Sequence, residues 1–187
     1  MILMISICND ALDKLGQSPI VSIADRDTNS RLCARNYFIT RDHMLREHPW
    51  NFAISRRTLP ASTSGEKSWG FTHTFPIPHG CLRLLEIRDL GPEDYQLEKN
   101  EILANADSLE IRYVRRISDP SKYDVSFANA LGYLLAVKLS NAISIKPAQK
   151  KLLNNEALRA LVIARTIDAQ ENPVVLPEAD DWIKVRL

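Results

Sequence analysis

The four histidines are the side chains of this chain best suited to binding a metal ion, yet their spacing does not favour a site. His43 and His48 lie five residues apart in a helical stretch, so they point to different faces of the helix. His73 and His79 lie in a strand-like region with prolines between them, and no cysteine stands at ligand spacing to either. The sequence therefore predicts no metal site.

Cysteine and nucleophile chemistry is not indicated either. Cys8, Cys33 and Cys81 are far apart and odd in number, and no CxxC pair occurs, so neither a zinc ribbon nor a disulfide framework is supported. Reduced, buried thiols are expected. The chain has no P-loop, GxGxxG, GxSxG or HExxH motif, and no local arrangement of a nucleophile beside a base. We therefore expect no catalytic residues, no cofactor and no enzymatic activity.

Composition sets further limits. The 187 residues suit one domain, or a helical body with a modest insertion. The 24 basic residues are nearly balanced by 23 acidic ones. The composition therefore indicates no large positively charged surface that would bind nucleic acid. Residues 1–5 are apolar, but they are too few to span a membrane and lack the basic start of a signal peptide, so no membrane partner is expected.

Apolar periodicity predicts four helices. The first covers residues 2–15, the second residues 28–48 and the fourth residues 148–170. The third starts after Pro120 and is apolar on most sides from Phe127 to Ile143, which is typical of a helix buried between neighbours or in a subunit interface. The inner side of the fourth helix is predicted from its larger apolar residues and alanines: Leu152, Leu153, Ala157, Leu158, Leu161, Val162 and Ala164.

Charged residues of the second helix leave alternatives open. Asp25 or Asp27 can cap its start, and Asp42 belongs to a solvated face, so these acids need not form a carboxylate cluster. Arg41 interrupts the apolar stripe. Its stem can cover apolar surface while its head reaches water, or it can form a buried pair with an acid on a neighbouring segment.

Between the second and third helices the pattern changes to strands. Residues 59–67 read as a polar loop, and residues 69–117 read as one small antiparallel sheet in which 95–98 pairs with 102–103 across Lys99 and Asn100. The predicted class is α+β. A helical body of residues 1–58 and 118–172 carries a β-rich insertion of residues 59–117, and an extended C-terminal arm follows at 173–187.

Large aromatic side chains indicate where the helical body and the β-rich insertion are held together. Trp50 and Phe52 follow Pro49, which cannot continue the second helix, and together with Trp69 they are predicted core anchors. In the arm, prolines favour an extended backbone. Its end offers Trp182, Ile183 and Arg186, which we predict to bind a partner.

A series of motifs in this order resembles the tail tubular protein A family of short-tailed bacteriophages. The motifs are a first helix ending in Leu15-Gly16, Cys33 and Tyr37 on the second helix, Pro-Trp-Asn-Phe-Ala at 49–53, Trp-Gly-Phe at 69–71, Pro-His-Gly-Cys-Leu-Arg at 78–83, Tyr-Val-Arg-Arg-Ile-Ser-Asp at 113–119, Phe127 with the apolar pairs after it, and Trp-Ile-Lys-Val-Arg at 182–186. They span nearly the whole chain.

The resemblance implies a structural virion protein at the head–tail interface, assembled in the host cytoplasm. About twelve copies would form a ring with the portal protein above and the tail nozzle protein below. Genomic DNA would pass through the channel without specific binding. The alternative is a nucleic-acid-binding module, for which the basic residues are Arg31, Arg35, Arg46, Arg56, Arg57, Arg115 and Arg116.

Overall fold

The computed structural model of the protein describes residues 3–62 and 69–171. It confirms the α+β class. The helices are α1 (Met4–Asp13), α2 (Thr28–Glu47), α3 (Val125–Leu139) and α4 (Pro147–Gln170), with short 3-10 turns at Asn51–Ala53 and Pro120–Lys122. The strands are β1 (Ile54–Pro60), β2 (His73–Pro76), β3 (Cys81–Ile87), β4 (Tyr95–Glu98), β5 (Glu101–Ala104) and β6 (Ser108–Arg115).

Helix α3 forms the centre of the helical body, and α1, α2 and α4 pack against it. Asp124 caps its start by accepting hydrogen bonds from the backbone N–H groups of Ser126 (2.7 Å) and Phe127 (3.1 Å). Its buried residues lie on several sides: Phe127, Ala128, Ala130, Leu131, Gly132, Leu135, Ala136 and Leu139. The all-round apolar pattern is therefore explained by burial between neighbouring helices.

The β-rich part contains two antiparallel sheets, where the sequence predicted one. The first has the strand order β1-β6-β3 and the second β2-β5-β4. Strand β1 begins at Ile54, before the boundary predicted at residue 59. Its three exposed central residues, Arg56, Arg57 and Thr58, give no apolar alternation, because β1 lies at the edge of its sheet. The hairpin of β4 and β5 has the predicted turn, with Lys99 and Asn100 both at positive φ.

Two hydrophobic cores result from this arrangement. The larger one fills the helical body and reaches Val114 of β6, while the smaller one lies between the two sheets around Phe75, Ile102 and Leu109. Each sheet thus buries apolar side chains against the other, and the first sheet also contacts the helices. Among the described helices, none combines the length and the apolar composition that crossing a bilayer requires.

The predicted inner side of α4 is partly wrong. The helix packs through Leu153, Ala157, Ala160 and Ala164, which recur at helical spacing on one face. Leu152, Leu158 and Val162 are instead 60%, 61% and 63% exposed. Three of these four buried residues are small alanines, and the larger aliphatic side chains lie on the outside.

Trp69 was predicted to be a core anchor, and this is wrong: its side chain is 98% exposed. It lies in a turn before β2, outside both cores, because Phe75 and its neighbours already fill the space between the sheets. The predicted partner-binding residues of the arm, Trp182, Ile183 and Arg186, lie outside the described residues.

Candidate functional site

The junction after α2 connects three helices at the point where the first sheet begins. Helix α2 ends at Glu47, and the fully buried side chain of Trp50 packs against the C-terminal end of this helix. Its Nε1–H donates a hydrogen bond to the Met44 carbonyl (2.9 Å), which satisfies one of the unpaired carbonyls at the helix end. The Trp50 ring contacts Phe127 of α3 edge-on, with 5.0 Å between ring centroids. Trp50 therefore joins the end of α2 to the centre of the body.

Phe52 continues this aromatic cluster. It is half-buried, and its ring lies 5.0 Å from the Phe127 ring and 5.9 Å from the Tyr123 ring, measured between centroids. Tyr123 in turn donates its hydroxyl hydrogen to the Ile117 carbonyl (3.0 Å). Phe52 thus packs in the position that its sequence context indicated, beside the chain that returns from the sheets to α3.

A buried carboxylate from α4 completes the junction. Asp168 is only 7% exposed, and its Oδ2 lies 3.0 Å from His48 Nε2. Its Oδ1 accepts the backbone N–H of Asn51 (2.8 Å), while the Asn51 side-chain amide donates to the Asp168 carbonyl (2.6 Å). The end of α4 is therefore fixed to the segment between α2 and β1. No local sequence pattern indicated Asp168, although it stands four residues after Ala164 on the inner face of the helix.

Arg41 fits neither of the two alternatives proposed for it. Its guanidinium is buried rather than in water, and its partner is the adjacent Asp42, with Arg41 Nε 2.8 Å from Asp42 Oδ1. Asp42 Oδ2 also accepts a hydrogen bond from Arg116 Nε (2.8 Å). Asp42 is thus shared by one arginine of its own helix and one that follows β6. The three side chains connect the helical body to the first sheet.

The outer side of α4 is the largest set of exposed aliphatic side chains on one described element. Leu152, Leu158, Val162 and Ile163 are each more than half exposed. A second exposed apolar pair, Phe38 and Ile39, lies on α2. We call these the α4 outer face and the α2 pair. Exposed apolar side chains grouped on one side of a helix favour a protein–protein contact site.

Side chains that bind metal ions are not gathered within the described residues. No group of three histidine, cysteine or acidic side chains there could hold a metal ion. Cys8 and Cys33 are free thiols that are fully buried against each other. Their mutual hydrogen bond and burial raise the pKa of Cys8, which makes this thiol a poor nucleophile.

Two of the basic residues considered for nucleic acid have local partners. Arg46 donates to the Leu82 carbonyl, and Arg116 is paired with Asp42. Arg56 and Arg57 lie on β1 beside a shallow groove of the first sheet. The sequence matches no model of a known protein family, and no curated protein matches it.

Proposed function

We propose that this chain is a structural virion protein, the subunit of an adaptor ring that joins the portal to the tail nozzle of a short-tailed bacteriophage. The ordered series of motifs resembling the tail tubular protein A family supports this proposal. Several of these motifs occupy structural positions: residues 49–53 form the junction after α2, and residues 78–83 lead into β3.

The α4 outer face is the observation that carries the proposal. Aliphatic side chains such as Leu158 and Val162 cost free energy when they are left in water, about 25 cal/mol for each Å² of apolar area. A ring that closes by head-to-tail contacts needs two unlike surfaces on each subunit. The α4 outer face and the α2 pair lie on two different helices of the body and meet that requirement.

The junction supports a mechanical role. Trp50 and Asp168 tie α2, α3 and α4 together at one end, close to where the first sheet starts. A subunit that transmits load between two parts of a virion must hold its surfaces in fixed relative positions. The junction fixes the helical surfaces against the sheet.

The near-neutral net charge of the chain supports a role in lining a channel through which DNA passes without being bound. The chain has a formal net charge of +1, so few phosphate charges would be neutralised by each subunit. Phosphate neutralisation produces strong, salt-dependent binding, which would hinder the passage of a genome.

A nucleic-acid-binding module is the second candidate, and one observation favours it. Arg56 and Arg57 are exposed on β1 and form no ion pair with the described residues. Salt-sensitive binding of DNA by the purified protein, lost in the variant with both arginines changed to Gln, would support this candidate instead of the adaptor.

Assembly with the portal tests the proposal. The purified chain is mixed with the portal protein of the same virus and imaged by negative stain, beside the variants Val162→Glu and Val21→Glu. Val21 is 89% exposed in the loop before α2, so it controls for adding an acid to an exposed valine. We expect rings on the portal for the wild type and for Val21→Glu, but not for Val162→Glu. Equal assembly of all three proteins would exclude the α4 outer face as the contact.

A further inference from the structure

Each of the two sheets has two outer edges, and one edge of each sheet has a partner within the chain. In the second sheet, Ser62 donates its backbone N–H to the Thr74 carbonyl of β2 (2.8 Å). In the first sheet, β3 lies beside α2, and Arg46 donates a hydrogen bond to the Leu82 carbonyl of β3. The remaining two edges are β1 in the first sheet and β4 in the second.

The backbone of β1 has hydrogen-bonding groups that point away from its sheet. Glu110, which stands opposite Thr58 on β6, accepts with its carbonyl the backbone N–H of Arg88 on the other side of β6 (2.9 Å). Because backbone groups along a strand point to alternate sides, Arg56 and Thr58 direct both their N–H and their C=O outward. No backbone hydrogen bond within the described residues uses these four groups. Pro60, which has no N–H to offer, occupies the next outward position.

Strand β4 has an open edge of the same kind. The two-residue turn of its hairpin makes Glu98 and Glu101 the hydrogen-bonded pair that closes the ladder with β5. The backbone groups of Tyr95 and Leu97 therefore point away from β5, and they take part in no backbone hydrogen bond within the described residues. The side chain of Leu97 is 53% exposed. An edge with free N–H and C=O groups is able to pair with a strand of another chain.

The two open edges carry opposite charge. Arg56 and Arg57 leave opposite faces of β1, so one exposed guanidinium stands on each side of its edge. Three exposed acids and one lysine lie on or beside β4: Glu93, Asp94, Glu98 and Lys99. None of these six side chains forms an ion pair with the described residues. The β1 edge is therefore basic, and the β4 edge is acidic on balance.

We propose that β1 of one copy pairs with β4 of a second copy, so that the first sheet of one subunit continues into the second sheet of its neighbour. Opposite charges then meet across the new ladder, whereas pairing β1 with β1, or β4 with β4, would bring like charges together. Within one subunit β1 and β4 do not pair with each other, so every subunit offers one strand of each kind. A contact between two unlike surfaces repeats from copy to copy and builds a chain or a closed ring.

A second strand satisfies the β1 edge better than nucleic acid does. The outward carbonyls of Arg56 and Thr58 are acceptors, and so are phosphate oxygens, so a phosphate backbone leaves these carbonyls without a donor. The N–H groups of β4 supply that donor. The contact does not depend on the adaptor role, and it leaves the α4 outer face and the α2 pair free because neither lies on a strand.

Charge reversal on each edge tests the pairing in the purified full-length chain. One variant carries Arg56→Glu with Arg57→Glu, and the other carries Glu93→Lys with Glu98→Lys. Self-association is measured by sedimentation velocity at up to about 1 mM protein, because a contact between two short strands is weak. We expect each variant alone to associate at least about tenfold more weakly than the wild type. An equimolar mixture of the two should recover wild-type association, because each β1 edge then meets a β4 edge of opposite charge.

The matched control for the first variant reverses two exposed arginines away from the sheets. Arg26→Glu with Arg31→Glu changes the net charge by the same amount at the start of α2. This control should associate as the wild type does. A control that loses association to the same extent would attribute the effect to net charge and overturn the proposal.

Proline substitution tests the backbone part of the contact. Thr58→Pro removes an N–H that points outward and leaves the β1–β6 hydrogen bonds in place, as Pro60 already does on the same edge. Thr58→Val keeps this N–H and is the matched control. We expect Thr58→Pro to lose self-association while Thr58→Val retains it, with Tm measured for both. If Thr58→Pro unfolds, Leu97→Pro beside Leu97→Val asks the same question on β4.

Four outcomes would overturn the proposal. The first is a wild type that stays monomeric over the whole concentration range, and the second is proline and charge variants that associate as the wild type does. Self-association lost only in Val162→Glu would assign the contact to the α4 outer face, and association that requires DNA would assign the β1 edge to nucleic acid. No portal protein is present in these measurements, so overturning the strand pairing leaves the adaptor proposal standing.

Discussion

Replacing Asp168 with Ala should destabilise the protein through the junction after α2. The buried carboxylate accepts the backbone N–H of the half-buried Asn51 and contacts His48, so its replacement by a methyl group removes both interactions. A hydrogen bond to a charged group contributes about 1.5–3 kcal/mol, and the hydrogen bond to His48 adds about 1 kcal/mol. The free energy of unfolding should therefore fall by about 2.5–4 kcal/mol. For a chain of this size, Tm should fall by roughly 2–4 °C for each kcal/mol.

Urea unfolding followed by circular dichroism and tryptophan fluorescence measures this change, with the unfolding free energy taken from the midpoint at constant slope. Asp168→Asn keeps an oxygen that can accept the Asn51 N–H, so it should cost only about 1 kcal/mol. The control Glu171→Ala removes an exposed acid from the same end of α4 and should change stability by less than about 0.5 kcal/mol. If Asp168→Ala were as stable as this control, the junction would not hold α4 in place.

Three further predictions concern the core, the arm and the cap of α2. Trp50→Ala should cost about 3–5 kcal/mol because it empties a fully buried site, whereas the exposed Trp69→Ala should cost less than about 0.5 kcal/mol by the same urea assay; equal costs would refute the assignment of Trp50 as a core anchor. Deleting residues 173–187 should leave Tm nearly unchanged, because every described helix and strand remains, but should weaken co-assembly with the portal in gel filtration, because the predicted partner-binding residues Trp182, Ile183 and Arg186 would add a contact to that of the α4 outer face; a truncated chain that unfolds, or that assembles normally, would show that the arm makes no such contact. Hydrogen bonds from the Ser30 side chain and backbone N–H hold the pKa of Asp27 below its ordinary value, so its contribution to stability is present at neutral pH and is lost as the pH falls through that lowered pKa. The stability difference between wild type and Asp27→Ala should therefore shrink on acidification, and a difference that grows in acid would contradict this role for the cap.

Local patterns in the sequence were sufficient to predict those elements whose structure is determined by neighbouring residues. The turn at Lys99 and Asn100 predicted the hairpin of β4 and β5, because a two-residue turn with positive φ at both positions suits Asn and matches the twist of the strands. The burial of Trp50 followed from its place after Pro49, where a large apolar side chain must leave the helix direction.

The predictions that failed depended on long-range packing. On α4, apolar residues occur on several sides, so periodicity alone could not show that alanines would form the contact with α3 and leave Leu158 outside. Strand β1 has the exposed composition of an edge strand and shows no apolar alternation, so most of it was assigned to the helical body that precedes residue 59. The partners of Asp168 lie more than a hundred positions away in sequence, so no local pattern indicates them.

Imaging the purified chain with its portal protein is the most direct test of the proposed adaptor role. The proposal predicts particles in which a ring of this chain lies on one end of the portal, formed by the wild type and lost when Val162 is replaced with Glu. Assembly should persist at salt concentrations that screen surface charges, since the contact depends on apolar side chains. A chain that never associates with the portal, and binds DNA in a salt-sensitive manner instead, would contradict the proposal.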